Sequence, residues 1–334
     1  MDVGDAQAAS RTLLELVATL MEASFQAVGE GAILGTMPAY LERFGRQNAV
    51  WMNRHFVKCH AEEGAVSALT PMNYVSRVTK TPFEMPKATK NEAVKRLKVC
   101  EFQDAFEGRG DFPKAMMCLL HKAAYQGSVN GTLGEGDPGY RVDLQSRILF
   151  GDDHCDFAVT SRTDRGAGGD KECKGKDLPS EEELAWLSYG FYTFLLTSFV
   201  DYLTKHLGQA HVEQILRDCA NKVGGKVYAL MDAVGLLPDD GPGAAAAVLR
   251  IGGRTFVQEG DAVTVTACPQ AEHIRATSAP NTPEDRERVR ANACRLCKNL
   301  VAGAVDQVCP GAKVTRTSAL ALGDDDCRFR VEVP

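Results

Sequence analysis

One heptapeptide pattern occurs twice, and it constrains what this chain can fold into more than any other feature. Gly151-Asp152-Asp153-His154-Cys155-Asp156-Phe157 and Gly323-Asp324-Asp325-Asp326-Cys327-Arg328-Phe329 share Gly-Asp-Asp-x-Cys-x-Phe, and each closes one half of the sequence. The flanking segments recur in the same order. Gly35 to Phe56, with helical apolar spacing broken at Gly45, is matched by Val212 to Gly235 around Gly224. Arg96 to Phe106 and Ala262 to His273 read as strand segments, with Cys100 and Cys268 at the strand ends. A second helix follows in each half: Phe112 to Gly127 with Cys118 and His121, and Ala291 to Val308 with Cys294 and Cys297. Cys100 with Cys268, Cys118 with Cys294 and Cys155 with Cys327 differ by nearly constant offsets, which predicts tandem copies of one domain built from helices and strands. The first copy is expected over 10–165, a glycine-rich linker of mixed charge over 166–180, and the second copy over 181–334. Leu236 to Ala247 and Ser278 to Val289 read as surface loops, and 61–91, with its three prolines, shows no clear period.

The heptapeptide itself spells a tight turn. Glycine accepts positive φ, and aspartate side chains cap nearby backbone N–H groups. After the turn, Cys155 and Phe157 alternate with His154 and Asp156, so cysteine and phenylalanine point to one sheet face and the polar residues to the other. Two readings of the cysteines stand open. Buried thiols pack well beside a core phenylalanine. Alternatively Cys268, Cys294, Cys297 and Cys327 in one copy, and Cys100, Cys118, His121 and Cys155 in the other, form sets of soft ligands such as zinc or an iron–sulfur cluster requires. Cys-x-x-Cys and Cys-x-x-His on a helix place both side chains on one face.

Composition narrows the partners. The 334 residues are 44% hydrophobic and 25% charged, with a formal charge of -6, which suits a globular chain and excludes the basic surface that nucleic acid calls for. No membrane span is expected: the most apolar stretch, Leu184 to Leu203, is interrupted by Ser188, Gly190 and Ser198 and carries Asp201. The start of the chain lacks a basic region followed by an apolar core, so a cytoplasmic location is expected. In that reducing compartment the eleven cysteines read as ligands, catalysts or core rather than disulfides.

A helix bearing Cys-x-x-Cys, then a strand, then a turn reading Gly-Asp-x-x-Cys-x-Phe near the domain end resembles the small-molecule-binding domains of the 4-vinyl-reductase-like family. The version in the first half resembles the related L-2-amino-thiazoline-4-carboxylic acid hydrolase family. The resemblance implies an α+β fold of the TRAPP-like kind, two tandem copies of a helix-covered antiparallel sheet, each with a pocket for a small organic ligand. It also implies a zinc shared by a helix cysteine and the turn cysteine, which carries over to Cys294 and Cys327. The strand between them has no cysteine or carboxylate before Asp324, so Cys268 and Cys297 would supply the remaining ligands.

Two classes of function follow. The first is a hydrolase that opens a C–N bond of a small cyclic thiazoline or amidine, with His154 beside Asp153 as base and acid and Cys155 or Cys118 as nucleophile or metal ligand. The second is a non-enzymatic sensor or carrier of a tetrapyrrole, hydrocarbon or heterocycle. The first half is the expected seat of chemistry, because His121 and His154 titrate near neutral pH whereas the equivalent Cys297 and Asp326 do not. His55, Cys59 and His60 form a second cluster at helical spacing. Gly29 to Gly35 has a glycine pattern that follows a helix and not a strand, which excludes a dinucleotide fingerprint. The expected partner is a small molecule, and a homodimer is left open.

Overall fold

Alternation of small apolar and polar residues dictates two sheets. In the computed structural model, which describes residues 3–29, 35–46, 64–78, 81–131, 139–166, 172, 180–233, 238–272 and 283–334, the chain divides into two units. The first unit is Gly29–Ser180; the second is Met1–Val28 together with Glu181–Pro334. The fold is α+β, with a four-stranded antiparallel sheet and covering helices in each unit. No described helix is long and apolar enough to cross a membrane.

The first unit runs through a helix over residues 35–46 (α2), α3 (Ala65–Val78), β1 (Phe83–Ala88), β2 (Glu92–Leu97), a short α4 (Gln103–Phe106), α5 (Asp111–Gly131), β3 (Tyr140–Leu144) and β4 (Cys155–Ser161). The second unit takes α1 (Val3–Val28), then α6 (Glu181–Leu207), α7 (Gln209–Ala233), α8 (Gly241–Ile251), β5 (Thr255–Glu259), β6 (Ala262–Ala267), a helical turn over residues 269–272 (α9), α10 (Pro283–Val308), β7 (Lys313–Arg316) and β8 (Cys327–Glu332). Strand order is β1-β2-β4-β3 in one sheet and β5-β6-β8-β7 in the other. The register repeats as well: Leu97 opposes Cys155 and Lys95 opposes Phe157, while Val265 opposes Cys327 and Val263 opposes Phe329. Phe157 and Phe329 thus occupy equivalent strands, as tandem copies require.

Several expectations need correction. Helix α1 was expected to open the first copy but packs on α6 and α7, burying Leu16, Val17 and Leu20 in the second unit's core. Leu236 to Ala247 is largely helix: from Asp240, whose Oδ1 accepts the Gly243 N–H at 2.6 Å, the chain enters α8 and buries Ala244 to Leu249. The unassigned stretch 61–91 holds α3, which contains Pro71, and β1, whose Pro86 lies at an irregularity between Glu84 and Lys87 on an edge strand. Asp201, 2% exposed on α6, is neutralised by Arg288 at 2.6 Å and Lys205 at 3.6 Å. Most of the expected linker, residues 166–180, lies outside the described residues, as do His55, Cys59, His60 and residues 30–34.

Candidate functional site

The repeated heptapeptide builds the same capped turn twice. A 3-10 turn over Ile148–Phe150 ends at Gly151 with φ 95°, and its counterpart Leu320–Leu322 ends at Gly323 with φ 109°. Asp152 Oδ2 accepts the N–H of Arg147 at 2.5 Å, and Asp324 Oδ2 that of Ala319 at 2.6 Å. The thiol sulfur of Cys155 accepts the N–H of Ile148 at 3.2 Å, and that of Cys327 the N–H of Leu320 at 3.0 Å. Ser146 and Ser318 hydroxyls accept the N–H groups of Asp156 and Arg328. Glycine, aspartate and cysteine are therefore each fixed by a backbone group that would otherwise lack a partner.

On the inner face of the first sheet, under α3 and α5, stands an unusual core. Lys95 is 0% exposed; its Nζ donates to Met72 O at 2.6 Å and Ser76 Oγ at 2.7 Å on α3. It lies 4.7 Å from the Phe83 ring centroid and 5.4 Å from that of Tyr125. No carboxylate among the described residues is within ion-pair distance of it, and burial holds its pKa well below the usual lysine range. Tyr125, hydrogen-bonded to Ser76, stacks on Phe157 with centroids 3.9 Å apart. His121 sits edge-on to Phe102, Tyr125 and Phe157 at 5.2, 5.2 and 4.9 Å. Desolvation and then Lys95 push the His121 imidazole down to about 3, so it is neutral at physiological pH and does not titrate there as expected. Glu101 lies just before α4 and is solvent-exposed. Desolvation pushes its carboxyl up to about 7, against the pull of Lys95.

The other residues expected in this half separate into two places. Cys100, Cys118 and Cys155 lie within electrostatic reach of one another on the inner side; burial pushes Cys100 up to about 12, Cys118 to about 11 and Cys155 upward. His154 and Asp153 lie with the outer face. His154 pairs with Asp153, whose side chain is 90% exposed, and approaches Asp156 at 3.4 Å; Asp156 in turn holds Arg96 through two hydrogen bonds. The proposed base and acid therefore do not meet Cys118 and Cys155, because the strand after the turn sends them to opposite faces.

In the second unit the four expected cysteines do converge. Cys268, Cys294, Cys297 and Cys327 line one pocket with Arg254, Gln270, Arg316 and Phe329. Burial pushes Cys294 up to about 12, Cys327 to about 11 and Cys297 upward, so these are neutral thiols. Among the described residues no three His, Cys, Asp or Glu side chains are grouped so as to hold a metal ion. The zinc set expected at Cys268, Cys294, Cys297 and Cys327 is brought together, as are Cys100, Cys118 and Cys155 of the set expected at Cys100, Cys118, His121 and Cys155, without forming such a group among the described residues.

Lys95 and Glu101 were not singled out from sequence. Period-2 alternation with Ala93 and Leu97 does place Lys95 on the inner face; the shift of Glu101 depends on its surroundings and has no sequence signature. Against protein-family models, curated proteins and solved structures, the chain finds no match.

Proposed function

We propose that the protein acts on a small organic molecule and that the first unit performs the chemistry, as a hydrolase opening a C–N bond of a small cyclic substrate. The observation that carries this is the placing of Glu101, poised near neutrality, within electrostatic reach of a buried Lys95 and beside an aromatic wall. A carboxyl near 7 is divided between acid and base at working pH, which is what paired proton transfers need. Ionised Glu101 takes a proton from water as the water oxygen bonds to the ring carbon. The C–N bond then breaks, and the departing nitrogen takes the proton back from Glu101. The reaction class comes from the resemblance to the thiazoline-carboxylate hydrolases; the raised carboxyl of Glu101 supports its choice as both base and acid. No step is assigned to zinc: among the described residues the side chains as placed make no three-ligand group.

The same reading assigns both units to the TRAPP-like fold of 4-vinyl-reductase-like domains, which the shared strand order and helix-covered inner face support. One observation favours the carrier reading instead: Tyr125, Phe157, Phe102 and His121 form a ring cluster suited to holding a flat molecule without reacting.

Turnover on a panel of cyclic amidines and thiazolines tests the choice. Consumption with kcat rising as pH passes through about 7 supports the hydrolase. Glu101→Gln is then expected to lower kcat by about a hundredfold or more with substrate binding retained. A ligand that stays bound through purification and is never consumed would establish the carrier.

A further inference from the structure

Two guanidinium groups of the second unit have no acidic partner among the described residues. Arg254 donates from Nη2 to Gln270 Oε1 at 2.8 Å and, more distantly, from Nη1 to Gly252 O at 3.4 Å; its third neighbour is the Cys268 side chain. Arg316 stands on the inner face of β7 opposite Phe329 and donates to Cys294 O at 2.5 Å. Gln270 Oε1, Gly252 O and Cys294 O are neutral acceptors, and among the described residues no Asp or Glu lies within ion-pair distance of either arginine. The Cys294, Cys297 and Cys327 thiols are neutral too, and burial pushes the Tyr189 phenol up to about 12. Both arginines are half-buried; a partly desolvated cation without a counter-ion favours an anionic partner, and a guanidinium is shaped to receive a carboxylate through two parallel hydrogen bonds.

Space is available beside it. Arg254, Gln270 and Cys297 line both the cysteine pocket and a second pocket, whose remaining wall is largely apolar and draws on α1, α6, α8 and α10. The helix α1 supplies part of this wall, which gives a use to its membership of the second unit.

We propose that the second unit binds a monocarboxylate with an apolar chain, the carboxylate on Arg254 and the chain among Leu13, Leu16, Leu196, Val248 and Leu300. This goes beyond the reading of the first unit and is independent of it. Titration calorimetry of the full chain with octanoate and with octanol tests it. Octanoate should bind at least about tenfold more tightly than octanol, the mark of a charge-assisted contact. Arg254→Gln should reduce octanoate to the octanol level, and Leu300→Trp, which narrows the apolar pocket and leaves both arginines in place, should weaken octanoate by a similar factor. Glu101→Gln, which stops turnover in the first unit, should leave octanoate binding unchanged. Equal affinity for octanoate and octanol, undiminished binding by Arg254→Gln, or no octanoate binding at millimolar concentration would each overturn the proposal; the octanoate–octanol comparison stands even where a variant does not fold.

Discussion

Where the first sheet places Lys95 opposite Phe157, the second places Val263 opposite Phe329; where the first has Leu144 opposite that phenylalanine, the second has Arg316. His121 on α5 corresponds to Cys297 on α10, and Phe102 to Gln270. One scaffold therefore carries its inner-face cation on a different strand in each unit. In the first, rings pack around the cation. In the second, cysteines, Gln270 and alanines leave a pocket beside it. Strand order, register and the capped turn are set by backbone hydrogen bonds and tolerate this exchange, whereas the chemistry of each inner face follows from a handful of side chains.

The largest expected effect concerns how the first unit's cover is held. Gly127 on α5 meets Gly45 on α2 so closely that a Cβ on Gly127 would lie 1.7 Å from the Gly45 carbonyl oxygen, and one on Gly45 would lie 2.5 Å from that of Ala123. Backbone cannot yield as a side-chain tip can, so the helices must separate. Gly127→Ala should cost about 3 kcal/mol or more in urea denaturation of the full chain. A loss below about 0.5 kcal/mol would mean that the helices do not cross there.

Next is the pH dependence that the first inner face has and the second lacks. The folded pKa of His121, about 3, lies below its unfolded value, so the unfolded chain binds more protons between about 6.5 and 3 and stability is lost as pH falls through that window. Glu101 works with the opposite sign below neutrality: its folded pKa of about 7 lies above the unfolded value, so stability falls as pH rises from about 4.3 to 7, by an amount that its exposure to solvent keeps small. His121→Cys, which installs the residue of the second unit, should flatten the acid limb of a stability–pH curve. Glu101→Gln should remove the decline toward neutrality and leave the chain more stable at pH 7. An unchanged acid limb for His121→Cys would place that imidazole in water.

How much of this could be read from the residues depended on whether the cause was local. The capped turn was legible because glycine, aspartate and cysteine each answer a backbone need within seven positions. The convergence of Cys268, Cys294, Cys297 and Cys327 was legible because the helix before a hairpin normally covers its face. Helix α8 was hidden by a glycine- and proline-rich start that is its cap, and β1 by an edge-strand proline. That α1 joins the second unit could not be read, since an apolar stripe records that a helix is buried and not against which core. Lys95 was passed over because it sits in a run of charge with Arg96, although alternation separates the two.

The turn offers a comparison in which the units should agree. Gly151→Ala and Gly323→Ala force a Cβ into the left-handed region and should each cost about 1 kcal/mol. Cys155→Ala and Cys327→Ala leave the N–H of Ile148 and of Leu320 unmatched and should each cost about 1 to 3 kcal/mol. Matched losses within each pair support a common structural role. A much larger loss at Cys327 than at Cys155, with zinc found by elemental analysis, would show a metal in the second unit.

The smallest effect lies on the outer faces, where the units part again. Arg96 and Asp156 are cross-strand partners joined by hydrogen bonds of 2.9 and 2.7 Å, whereas Thr264 stands opposite Arg328 in the second sheet. The Arg96 guanidinium holds the Asp156 carboxyl below the usual carboxylate range, so the pair contributes at neutral pH and its contribution is lost as the carboxyl protonates below about 3.9. The pair is partly open to water, with Arg96 side-chain exposure at 31%, so salt screens it and Asp156→Asn should cost only about 1 kcal/mol at neutral pH. The loss should shrink in high salt and vanish at pH 2, while Arg328→Gln in the second sheet, at an exposed position beside Asp326, should change stability by no more than about 0.5 kcal/mol. An Asp156→Asn loss of several kcal/mol that salt leaves untouched would mean that this face is covered, and would place His154, which approaches Asp156 at 3.4 Å, in a protected site after all.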